Sequence, residues 1–93
     1  MNPLLAPEPL VFVDLETTGA NFANDRVIEI GVVEVDQNGA REWSSLVNPG
    51  VPVSAFITNL TGIDTAMVAK APSFEQLAPA VLEKLCGRLF IAH

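Results

Sequence analysis

The 93-residue sequence predicts an α/β fold built on a mixed sheet, and three observations carry that reading. The first half holds apolar runs rich in Val and Ile, with an Asn-Gly turn signal between two of them. The second half changes to helical spacing, with capping residues, Asp64 and Ser73, at two of its helix starts. A short apolar run, Leu89-Phe90-Ile91-Ala92, follows the helices and reads as another strand. A hairpin followed by a helical crossover gives three antiparallel strands and then a fourth parallel to the first. An α/β sheet carries helices on both faces, and this chain supplies them for one, so it is expected to be the truncated first part of a larger domain.

Each element has its own justification. Residues 1–8 are expected to be a disordered lead-in, because Pro3, Pro7 and Pro9 obstruct regular pairing. The domain proper is expected over 9–93. Leu10-Val11-Phe12-Val13 opens a buried strand over about 10–15, and a polar loop follows at 20–25. A second strand spans about 26–35. Asp36-Gln37-Asn38-Gly39 is expected to be a type I′ hairpin turn, since Asn-Gly accepts positive φ. A third strand returns over 41–47 and ends at Asn48-Pro49-Gly50. Ser54–Leu60 reads as a short helix stopped by Gly62, and Asp64 as the N-cap of a helix over 65–70. Ser73 and Gln76 have capping-box spacing for a longer helix with Phe74, Leu77, Val81, Leu82 and Leu85 as its apolar stripe. Pro79 predicts a kink or a later start, and Gly87 a C-terminal stop.

Composition narrows the function classes. The hydrophobic fraction of 49% calls for a packed core. A net charge of −6 argues against a basic nucleic-acid patch within these residues, although a phosphate can be held through metal ions instead. Cys86 is the only cysteine, which rules out an internal disulfide and suits a reducing compartment. The N-terminus has no signal-peptide pattern and no run reaches membrane-span length, so no membrane role and a cytoplasmic location are expected.

Chemistry concentrates at Asp14-Leu15-Glu16-Thr17-Thr18-Gly19. Strand side chains alternate, so Asp14 and Glu16 project from one face. Two anions side by side repel, and a hard divalent cation such as Mg²⁺ relieves that with carboxylate ligands.

These residues resemble the first motif of the DEDD-type 3′→5′ exonucleases, the ribonuclease H-like family that includes the proofreading epsilon subunit of bacterial DNA polymerase III. Val27-Ile28-Glu29-Ile30-Gly31 resembles the family's second strand. Asn48-Pro49 with Leu60-Thr61-Gly62-Ile63 resembles the next block, and Ile91-Ala92-His93 the start of the second acidic motif. The resemblance covers about residues 10–93 and implies a ribonuclease H-like sheet. It also implies a divalent-metal-dependent 3′→5′ exonuclease releasing mononucleotides by a two-metal mechanism, with polymerase proofreading as one setting.

Asp14 and Glu16 would then be the catalytic metal ligands, Asp14 bridging two Mg²⁺ or Mn²⁺ ions and Glu16 binding one. Thr17 and Gly19 would meet the terminal nucleotide, and Leu60 would wedge against its base. The plain alternatives are a turn with Gly19 at positive φ and a core leucine at a helix end. The second wedge position is Ala20, too small for the task. Thr18, Trp43 and Cys86 read as structural, Glu29 as a hydrogen-bonded support, Gly31 as a bulge or close-packing site, and His93 as ordering the turn after the fourth strand. The family's third carboxylate would fall about five residues past His93 and the fourth further on, so residues 1–93 alone are expected to be inactive. The His or Tyr subtype stays open, with these blocks closer to the His subtype. The implied partners are a nucleic-acid 3′ end, single-stranded DNA ahead of RNA, and a DNA polymerase subunit. The competing class is a binding module of the same fold without catalysis.

Overall fold

The structure is a computed structural model that describes residues 10–19, 25–85 and 89–92, the last of these as backbone only. The expectations for residues 1–8, Ala20, Cys86, Gly87 and His93 lie outside the described residues. The element order is β1 (Leu10–Thr17), β2 (Val27–Asp36), β3 (Gly39–Leu46), α1 (Ala55–Thr61), α2 (Thr65–Ala69), α3 (Phe74–Leu85) and β4 (Leu89–Ala92). They form a four-stranded sheet in the order β3-β2-β1-β4. Both hairpin pairings are antiparallel, and β4 joins β1 in parallel through the helical crossover. The mixed sheet predicted from the sequence is therefore present.

β1 and β2 pair without interruption from Leu10↔Val35 to Glu16↔Glu29, and the register shifts between Glu16 and Thr17. Thr17 pairs with Val27, so Ile28 is the extra residue of a bulge. Ile28 is fully buried there beneath Val53, Ile57, Ile63 and Val68, which lie in and beside α1 and α2. A second cluster joins Val11, Val13, Ile30, Val32 and Val47 to Val81 of α3, with Leu77, Leu85 and Trp43 packed against it. Lys84 of α3 places Nζ 5.3 Å from the centroid of the Trp43 ring, which confirms a packing role for the tryptophan.

The hairpin differs from expectation. Gln37 and Asn38 are its central residues, and no non-glycine residue has positive φ among the described residues, which excludes type I′. The turn lies at Asp36–Gly39 as expected, but the Asp36 carboxylate accepts the Asn38 N–H at 2.8 Å as an Asx turn, and Gly39, at φ +125°, opens β3.

The helix ends behave as their caps dictate. Ser54 accepts from the Ile57 N–H and Asp64 from the Met67 N–H, while Gly62 closes α1 at φ +80°. Ser73 and Gln76 exchange hydrogen bonds of 3.2 and 2.9 Å, so α3 starts at Phe74. It then runs through Pro79 as one helix. Pro79 and Glu75 are both exposed, and the Glu75 carbonyl that loses its i+4 donor can turn to water. Leu77, Val81 and Leu85, spaced four apart, make the buried stripe, whereas Phe74 and Leu82 face outward against expectation.

Candidate metal and 3′-end site

Alternation along β1 separates two kinds of residue. Val11 and Val13 face α3 at 0% and 7% exposure. Leu10, Phe12, Asp14 and Glu16 point the other way. Residues directly opposite in an antiparallel pair share a face, so Val33, Gly31 and Glu29 of β2 lie beside Phe12, Asp14 and Glu16, with Glu42, Ser44 and Leu46 of β3 beyond them. An open depression of about 530 Å³ covers the middle of this face, with Phe12, Asp14, Gly31, Val33, Glu42 and Ser44 in its lining.

The expected placement of Asp14 and Glu16 holds. Both precede the bulge, so both keep regular strand geometry and one common face. Asp14 is exposed and Glu16 half-buried. Glu29 sits directly opposite Glu16, and like charges in that position destabilise a strand pair. The expected hydrogen-bonded support by Glu29 is not found among the described residues. A divalent cation over this face would offset the repulsion, and its oxygen donors are of the type Mg²⁺ and Mn²⁺ prefer. The donor set therefore fits such a metal, although no group of three ligating side chains converges among the described residues.

Gly31 needs a different explanation from the expected one. It pairs regularly with Asp14, away from the bulge, and a Cβ there would come no nearer than 3.9 Å to the Asp14 carbonyl. Its missing side chain leaves open floor beside the Asp14 carboxylate.

The turn after β1 is tightly bonded. The Thr17 hydroxyl donates to the Gly19 carbonyl at 2.6 Å and accepts the Gly19 N–H at 3.3 Å. Thr18 donates its N–H to the Arg26 carbonyl at 2.8 Å. Its hydroxyl accepts the Arg26 N–H and donates to the Asp25 carboxylate, both at 2.9 Å. Gly19 is outside the positive-φ glycines, which overturns the expectation of a left-handed turn residue. What glycine leaves there is space: a Cβ would lie 2.6 Å from Asp25 Oδ2 and would displace the Asp25 carboxylate. Sequence reading missed Asp25, because an aspartate in a polar loop has no signature until the chain brings it back against the turn.

Leu60 stands on a separate element, α1, and is 71% exposed. The alternative of a core leucine is thereby overturned, since α1 buries Ile57 instead. Phe56, one turn earlier, is also exposed.

Among the described residues, no helix is long and apolar enough to cross a membrane. Residues 11–93 match the RNase T family of exonucleases. The chain is 44% identical over 84 residues to a PolC-type DNA polymerase III of Caldanaerobacter subterraneus, covering 89% of this chain and 6% of the relative. It is 38% identical over 85 residues to the 3′-5′ exonuclease DinG of Bacillus subtilis, covering 89% of this chain and 9% of the relative. The chain thus spans under a tenth of these relatives' length. Among solved structures, exonuclease X in complex with 5′-overhanging duplex DNA superposes with a TM-score of 0.74 at 29% identity, covering 90% of this chain and 48% of that one. The nuclease domain of 3′hExo, a DEDDh family member bound to rAMP, gives a TM-score of 0.70 at 25% identity, covering 82% of this chain and 42% of that one. The sheet is thus the ribonuclease H-like exonuclease fold, and the chain belongs to the RNase T exonuclease family.

Proposed function

We propose that the protein carrying this chain is a divalent-metal-dependent 3′→5′ exonuclease, and that Asp14 and Glu16 are its first two metal ligands. The observation that carries this reading is their position: two carboxylates on one open sheet face, immediately before the bulge and the Thr17–Gly19 turn. Mg²⁺ or Mn²⁺ held there supplies an activated water and stabilises the leaving oxygen of a phosphodiester.

The chain's own residues divide the remaining work. Asp14 and Glu16 hold negative charge at a fixed place and height on the sheet. The Thr17–Gly19 turn presents backbone next to the metal ligands, where a terminal sugar can be gripped. The exposed Leu60 offers an apolar surface to the terminal base. Family membership and the relatives named as 3′-5′ exonucleases support the polarity of attack. Single-stranded DNA is the expected substrate ahead of RNA, and the similarity to a PolC-type polymerase supports proofreading beside a polymerase as the setting. A two-metal centre requires carboxylates beyond this pair, so residues 1–93 alone should not turn over substrate.

Digestion of matched strands with free and blocked 3′ ends by the intact protein tests the reading. Metal-dependent release of mononucleotides from the free end alone is expected, and chelation should stop it. Equal cleavage of both strands would show an endonuclease instead.

A further inference from the structure

We infer that Asp25 is a positioning residue that clamps the Thr17–Gly19 turn against the start of β2 and so fixes the grip on the terminal nucleotide. The inference rests on the exonuclease reading for its functional consequence and on geometry alone for the clamp. Thr18 is bonded to the Asp25–Arg26 segment three times: by its N–H to the Arg26 carbonyl, by its hydroxyl to the Arg26 N–H, and by the same hydroxyl to the Asp25 carboxylate. The last bond orients the hydroxyl for the second. A threonine hydroxyl has one proton, and giving it to Asp25 leaves a lone pair aimed at the Arg26 N–H.

The Asp25 carboxylate also fills the space over Gly19, where a Cβ would lie 2.6 Å from Oδ2 and 3.0 Å from Oδ1. Asp25 thus touches two consecutive residues of the turn, one by a hydrogen bond and one by contact. The bulge at Ile28 gives the reason a clamp is needed. The ladder that fixes Asp14 and Glu16 shifts register at Thr17 and resumes beyond the bulge with Thr17↔Val27 and the Thr18 N–H to the Arg26 carbonyl, one residue out of step with the ligands' register. The side-chain bonds of Asp25 and Thr18 reinforce this last, out-of-step pairing. A misplacement of about 1 Å near a reacting bond can cost up to ~10²-fold in rate, so the clamp lies within reach of catalysis without contacting substrate.

The test uses the intact protein and four variants: Asp25→Ala, Asp25→Asn, Thr18→Val and Thr18→Ser. Two readouts are taken together. One is the ratio of digestion rates on strands ending in a 3′-hydroxyl and in a 3′-deoxy sugar. The other is hydrogen exchange of the segment 16–19. Asp25→Ala and Thr18→Val should lower the ratio about tenfold and quicken exchange. Asp25→Asn and Thr18→Ser keep the acceptor and the hydroxyl and should retain both. An unchanged ratio in Asp25→Ala, or a loss in Asp25→Asn as large as in Asp25→Ala, overturns the inference. General destabilisation would slow both strands alike and leave the ratio in place, which also overturns it. If the wild-type protein shows no 3′-end hydrolysis, the exonuclease reading falls. Exchange then still decides the clamp: faster in Asp25→Ala supports it, unchanged overturns it.

Discussion

The two faces of β1 carry the same backbone and opposite tasks. Val11 and Val13 are shut against α3, while Phe12 and Asp14 on the other face stay open, Phe12 at 38% exposure. Cross-strand neighbours follow the same division. Val32 stands opposite Val13 and Ile30 packs in the same cluster, with Glu34 opposite Val11 at the end of that face, whereas Gly31 and Glu29 stand beside the acids. The closed face is where burial stabilises the fold, at roughly 25 cal/mol per Å² of apolar surface. The open face collects groups that a stability-driven sequence would avoid: two acids two residues apart, a glutamate opposite a glutamate, and a glycine in mid-strand. One strand can hold both because its side-chain period is two, so a change at position 14 leaves the packing at position 13 untouched.

That division can be broken by experiment. The largest effect should come from Asp14→Asn. It should lower 3′-end digestion by the intact protein on the order of 10²–10³-fold, with the thermal midpoint retained. A lost midpoint would place Asp14 in the stabilising half. Ile30→Ala probes the closed face. Its side chain is 2% exposed, and removing it should cost about 2–5 kcal/mol in denaturant unfolding. The rate per folded molecule should be kept. The smallest effect should come from Arg41→Gln, at the far end of the closed face. The hydrogen bond and charge of Asp36, then those of Glu34, hold the Arg41 guanidinium above its ordinary pKa. A raised pKa gives stability present below the ordinary value and lost only as pH rises through the raised one. Stability from these two contacts should therefore be flat through neutral pH, small because Arg41 is solvent-exposed, and reduced further by added salt. A steep pH dependence near neutrality that Arg41→Gln removes would contradict it.

Much of this was legible in the sequence where local rules and packing agree. Strand alternation placed Asp14 and Glu16 on one face, and two capping residues, Asp64 and Ser73, located two helix starts. The failures have specific causes. Asn38-Gly39 carries the signal of a type I′ turn, but the Asp36 side chain captured the Asn38 N–H, and the bend at the expected residues took another type. Pro79 predicts a kink or a later start, and the helix runs from Phe74 through it, with Pro79 on the exposed side where water can satisfy the lost partner. Leu60 could have been core or surface, because helical spacing alone does not say which face a seven-residue helix buries. Gly19 and Asp25 explain one another only in space, and no spacing rule links them.

Direct measurement of metal binding goes to the centre of the account. Mn²⁺ titrated into the intact protein, read by electron paramagnetic resonance, should show binding in the wild type. It should be weakened by Asp14→Asn and by Glu16→Gln, and unaffected by the nearby closed-face variant Val13→Ala once the folded fraction is matched. Mn²⁺ affinity that survives both carboxylate substitutions would show that the open face of β1 is not the metal site.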